Sequence, residues 1–129
     1  MLIYCYIGVQ VRIPQENGLN LKSHKPSEIC ISSITYGELC HGVEKSQARE
    51  RNLLALTLLL SSISILPFDE AAALEYGEVR AKLERKGIPI GPLDTQIAAH
   101  AKCLGLTLVT NNMREFIRVE GLLVEDWAS

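Results

Sequence analysis

Three short apolar runs, separated by helical text, set the strongest limit on how this chain can fold. "ICISS" (29–33), "ISILPF" (63–68) and "LTLVT" (106–110) are strand-length and rich in β-branched residues. Between them, "SITYGELCHGVEKS" places Ile34, Leu39 and Val43 at roughly helical spacing, with a serine or threonine at its start able to cap. "ARERNLLALTLLLSSI" reads as a second helix, charged first and apolar later. Asp69 is positioned to cap a long helix, "EAAALEYGEVRAKLERKG", with Ala72, Tyr76, Val79 and Leu83 as its buried stripe and Gly87 as its end. "PLDTQIAAHAKCLG" has Pro92 in its first turn and Gly105 at its end. "EGLLVEDW" supplies a closing strand. Strands that alternate with helices need crossover connections, and these build parallel sheets. The expectation is an α/β fold, a central parallel sheet flanked by helices, in one domain over residues 1–129. Residues 29–33 and 106–110 are expected to be neighbouring parallel strands.

The apolar fraction of 47% and charged fraction of 22% are those of an ordinary globular chain. A net charge of −2 gives no general excess of basic residues, so any nucleic-acid contact must come from a local patch. The four cysteines show no C-x-x-C pair, which argues against a zinc ribbon and suits buried free thiols in a reducing cytoplasm. "HAKC" (100–103) could ligate a metal, but no second pair accompanies it. No run reaches the roughly 18 apolar residues of a membrane span, and the start lacks the basic region of a secretory signal. Residues 1–26 are the odd part. "MLIYCYIGVQVRIP" looks like strand, and "QENGLNLKSHKP" is polar with a turn signal, so that a hairpin arm with a poorly determined polar stretch is expected there.

Ligands of open α/β sheets bind beyond the carboxyl ends of the strands. Glu38 follows one such end, and Asn111, Asn112 and Glu115 follow another. Asp94 opens the helix leading into the latter strand. If Glu38, Asp94 and the Asn112/Glu115 corner converge, they offer the oxygen set that Mg²⁺ or Mn²⁺ takes. Such a site supports hydrolysis of a phosphodiester without a cysteine, serine or histidine nucleophile. Each residue also has a plainer reading. Glu38 could complement a helix dipole, Asp94 could cap its helix, "TNN" is common turn composition, and Glu115 beside Arg114 could be a solvated charge. His41 and His100 read as packing or surface groups. Lys45, Arg49 and Arg51, and likewise Arg80, Lys82, Arg85 and Lys86, are interleaved with glutamates, including an i,i+4 pair of Glu78 with Lys82. They read as solvated faces, with Arg80 and Arg85 the residues best placed to meet RNA.

"ICISSITYGELCHGVEKS", "IPIGPLDTQIAAHAKCLGLTLVTNNMREF" and "VEGLLVEDW" together resemble a VapC-type toxin of the PIN-domain ribonuclease family, over about residues 28–128. The resemblance implies a PIN-like fold and an Mg²⁺- or Mn²⁺-dependent RNA endonuclease. It also implies a homodimer neutralised by a small VapB-like antitoxin, with initiator tRNA as the substrate of its nearest relatives by pattern. It casts Glu38, Asp94, Asn112 and Glu115 as catalytic residues, with Asp94, Glu38 and Glu115 on the metal. One departure stands out. The family opens on a strand ending in "L-D-T-N", whose aspartate is a principal metal ligand, whereas no aspartate occurs here before Asp69 and Glu16 is the only acid in residues 1–26. A chain begun at an internal methionine with a rearranged amino terminus would account for this, as would a decayed paralogue. Either leaves one carboxylate, and with it a central strand, missing or replaced. The competing functions are therefore an active toxin, an inactive homologue that still binds antitoxin, and, well behind, an unrelated α/β hydrolase, which would need a phosphate-cradling glycine loop that is absent.

Overall fold

The structure is a computed structural model that describes residues 4–6, 29–110 and 112–126, the first three as backbone only. The elements in chain order are β1 (Tyr4–Tyr6), β2 (Ile29–Ser32), α1 (Ser33–Lys45), α2 (Arg49–Leu60), β3 (Ser64–Leu66), α3 (Glu70–Arg85), α4 (Pro92–Leu104), β4 (Thr107–Val109), α5 (Met113–Phe116) and β5 (Leu123–Glu125). The described strands form one sheet in the order β3-β2-β1-β4-β5. Every pairing is parallel.

The helix ends follow from local chemistry. Ser32 caps α1 by accepting the Ile34 amide at 3.1 Å, and Asp69 caps α3 by accepting the Ala72 amide at 3.0 Å. Pro92 lies in the first turn of α4, where a missing N–H costs nothing, and Gly105 ends that helix at φ 67°, a conformation only glycine adopts without strain. Ala98, Ala99 and Ala101 are fully buried, and these small side chains let α4 approach the sheet and α3 closely. The core gathers Cys30, Val79, Leu83, Ile97, Leu108 and Phe116 around them. Tyr76, by contrast, is only half-buried at the core's margin.

Several expectations are corrected. β2 and β4 share one parallel sheet but are not neighbours, because β1 lies between them, with Tyr4 paired to both Ile29 and Thr107. The central strand is therefore supplied by "YCY" of the amino-terminal segment, and that segment does not form a hairpin arm over these residues, since both partners of β1 are parallel. The expected polar stretch within 14–25 lies outside the described residues. Of the thiols, Cys30 is buried, whereas Cys40 and Cys103 are only half-buried on their helices. Lys82 pairs with Glu120 at 3.5 Å rather than with Glu78. No helix among the described residues is long and apolar enough to cross a membrane.

Candidate metal centre

The carboxyl ends of β2 and β4 lead into α1 and α5, which carry Glu38 and Glu115. The start of α4 carries Asp94 to the same region. Three contacts hold these pieces in place. The Thr95 hydroxyl donates to the Gly91 carbonyl at 2.8 Å and fixes the first turn of α4 around Asp94. Phe116 is wholly buried and anchors the short α5 that carries Glu115. Arg118, just past α5, donates to the Pro89 carbonyl at 3.0 Å and ties this corner to the loop before α4.

Asp94 makes no capping hydrogen bond to its own helix, whose N-cap is Gly91. Its carboxyl group is instead near that of Glu115, whose hydrogen-bonding and charge act on it. Asn112 joins them, its amide group donating to Glu115 Oε2 at 3.4 Å while its backbone N–H donates to Thr110 Oγ1 at 3.0 Å. Glu38 is on the exposed side of α1 and acts on Asp94 through its charge. The close carboxylate pair is thus Asp94 with Glu115, and Glu38 stands farther out. Asn111 lies outside the described residues.

Electrostatics favour a cation here. Burial first, then the hydrogen-bonding and charge of Glu115, then the charge of Glu38, push the Asp94 pKa up to about 6 from an ordinary 3.8. No lysine or arginine among the described residues forms an ion pair with Asp94, Glu115 or Glu38. Nor do three His, Cys, Asp or Glu groups among the described residues already stand at metal-cage spacing. A half-buried pair of carboxylates with a third acid nearby, all oxygen donors and none neutralised, nevertheless fits a hard divalent ion that binds through one or two carboxylates and keeps much of its water.

This charge crowding has a pH signature. A folded-state pKa above the unfolded value contributes stability that is present below about 3.8 and is lost as pH rises through about 6. In metal-free protein, the Asp94 carboxyl should therefore titrate well above a normal aspartate, and this contribution should favour pH 5 over pH 7. A divalent cation should draw the titration back down. Carbon-detected NMR of the Asp94 carboxyl, with and without Mg²⁺, reads both effects. A normal aspartate titration in metal-free protein would contradict the crowding.

The PIN domain family matches residues 16–122. The chain belongs to that family. Within it the likeness is to VapC proteins. The tRNA(fMet)-specific endonuclease VapC of Salmonella typhimurium is 52% identical over 101 residues, which span 78% of this chain and 76% of that protein. The DNA-bound VapBC structure from Salmonella typhimurium superposes with a TM-score of 0.90 at 42% identity, covering 98% of this chain and 99% of that one. VapBC2 from Rickettsia felis, bound to a DNA fragment from its promoter, gives a TM-score of 0.87 at 38% identity, again covering 98% and 99%. This is a VapC-type chain in both sequence and fold.

Away from the candidate site, His100 and several basic residues of this PIN domain have partners of their own. His100 is 3% exposed, and its Nδ1 lies 2.8 Å from Ser32 Oγ, which removes it from any "HAKC" metal site. The only sequence signal for this contact was a lone histidine on an apolar helix face. Of the basic residues, Arg49 is held by Glu44 and Glu50, Arg80 by Glu84, and Lys86 by Glu120. These exposed pairs belong to solvated faces.

Proposed function

We propose that this chain is the toxin of a type II toxin–antitoxin pair, a metal-dependent endoribonuclease kept in check by a small VapB-like antitoxin. The observation that carries this reading is the Asp94–Glu115 carboxyl pair, within reach of the charge of Glu38, at the strand ends of a VapC-type PIN fold. In this reading, Asp94 and Glu115 hold Mg²⁺ or Mn²⁺ directly, Glu38 contributes through its charge or a bridging water, and Asn112 orients the Glu115 carboxylate. When bound, such an ion supplies Lewis-acid polarisation of a phosphoryl oxygen and a more acidic water. The half-buried position of Asp94 raises the strength of these interactions by limiting solvent.

The substrate class is RNA, and initiator tRNA is the specific candidate, because the Salmonella relative bears that name. A homodimer is part of the proposal. Leu53, Leu54 and Leu58 on α2 are 38%, 60% and 65% exposed and offer apolar surface for a second copy or the antitoxin. The reading takes the chain as one PIN-like unit working in the cytoplasm, with residues 1–26 its atypical part.

A second reading has its own observation. After β1 ends at Tyr6, no acid occurs until Glu16, so the family's aspartate has no counterpart at that strand end. A chain short of one ligand could be a weak nuclease, or an inactive homologue that only captures antitoxin. Purified chain should be assayed for Mg²⁺- or Mn²⁺-dependent cleavage of initiator tRNA and for capture of the antitoxin encoded beside it. Metal-dependent cleavage supports the nuclease. Capture without cleavage supports the binding module. Loss of both overturns the toxin reading.

A further inference from the structure

We infer that His100 is a positioning residue that locks the helix bearing Glu38 to the helix bearing Asp94. Ser32 is both the last residue of β2 and the cap of α1, and its hydroxyl oxygen accepts the Ile34 amide at 3.1 Å. The same oxygen lies 2.8 Å from His100 Nδ1 on α4. With one proton and two lone pairs, a hydroxyl that accepts from Ile34 also pairs with Nδ1 in either tautomer of the ring. The ring is locked from a further side, since Phe68 packs edge-on at a centroid distance of 5.5 Å and an interplanar angle of 84°. The Phe68 amide in turn donates to Ser33 Oγ at 3.0 Å. Both members of the central contact are sealed from water, Ser32 at 0% and His100 at 3% exposure.

The clasp therefore joins the end of β2, the start of α1, the segment after β3 and the middle of α4. α1 and α4 come from distant parts of the sequence, and each carries one acid of the centre. A site of this kind needs its direct ligands held to within about half an ångström and its outer acids held in place around them, by neighbours whose own rotamers are locked. The plain alternative is a buried histidine that satisfies its polar atoms and contributes stability alone. The two roles differ in one respect: a positioning residue affects ion affinity beyond what lost stability explains.

This inference rests on the metal reading above. The test compares wild type, His100→Leu, His100→Asn, Ser32→Ala and the core control Leu83→Ala, with Mn²⁺ as the probe in calorimetric titrations. Hydrogen exchange of the Ile34 amide in metal-free protein is the second measurement. His100→Leu should weaken Mn²⁺ binding by about tenfold or more, the usual cost of removing a group that orients ligands. It should also speed Ile34 exchange by about tenfold, the worth of one hydrogen bond. His100→Asn, which keeps a polar group near the Nδ1 position, should restore most of both. Ser32→Ala should reproduce the Mn²⁺ loss, and it carries the test if His100→Leu does not fold. Leu83→Ala should lower the melting temperature and leave Mn²⁺ affinity unchanged. Equal Mn²⁺ affinity in the Leu83 and His100 or Ser32 variants would reduce the clasp to a stability role and overturn the inference. Unchanged Ile34 exchange in His100→Leu would overturn it without reference to metal. Wild type that binds no Mn²⁺ would overturn the metal reading itself, and the inference with it.

Discussion

Asp94→Asn should reduce metal-dependent RNA cleavage by at least about a hundredfold, the upper range seen when even an outer partner of a metal site is lost. The substitution keeps shape and removes charge. It leaves the fold's packing alone, because Asp94 caps nothing and its helix starts from Gly91 and Pro92. It also relieves repulsion, since Asp94 is crowded by Glu115 and Glu38. The variant should therefore melt no lower than wild type at pH 7, and its Mn²⁺ affinity should collapse. On the proposed docking surface of Leu53, Leu54 and Leu58, which is separate from this carboxyl pair, antitoxin capture should persist. Melting curves, Mn²⁺ titration and tRNA cleavage on the same preparation separate these effects. Undiminished cleavage by Asp94→Asn would remove Asp94 from the chemistry.

The second large effect is a gain. Tyr6 ends the central strand and pairs with Val109, next to the corner that leads to Asn112 and Glu115. An acid at that strand end would supply the carboxylate that the resemblance to the family implies there. Tyr6→Asp should raise the metal-dependent cleavage rate by roughly tenfold to a hundredfold, the same range read in reverse. Cys5→Asp is the control. Cys5 is paired in mid-sheet with Cys30 and Leu108, one register position before the strand end, so an acid there should give no gain in rate. Equal rates for wild type and a folded Tyr6→Asp would mean that the absent aspartate is not what limits this chain.

Much of the architecture was legible because it rests on local signals. The caps at Ser32 and Asp69, the Pro92 start and the Gly105 stop each depend on a single residue's backbone chemistry. The sheet order was not legible. "ICISS" and "LTLVT" look alike as buried strands, and nothing in either says that a three-residue strand from the amino terminus separates them. At the site, the sequence picks out Glu38, Asp94, Asn112 and Glu115 as oxygen donors near strand ends. It does not reveal that Glu115 rather than Glu38 is the close partner of Asp94, because that depends on how deeply Phe116 pulls α5 into the core. The Ser32–His100 contact was hidden for a similar reason: two polar residues far apart in sequence give no sign of meeting.

The central place of β1 also governs the order in which the fold can be assembled. β3 with β2, and β4 with β5, form two half-sheets that share no ladder with each other except through the strand between them. That strand precedes both flanks in the sequence, yet one of its partners, β4, comes near the end of the described residues. Until both flanks have been made, the inner edges of β2 and β4 are open templates for pairing with other chains. Contacts between segments this distant carry the loop-closure cost that slows folding. The gap between β2 and β4 is bridged by β1, so the flanks that lead to Glu38 and Glu115 take their spacing from this amino-terminal strand.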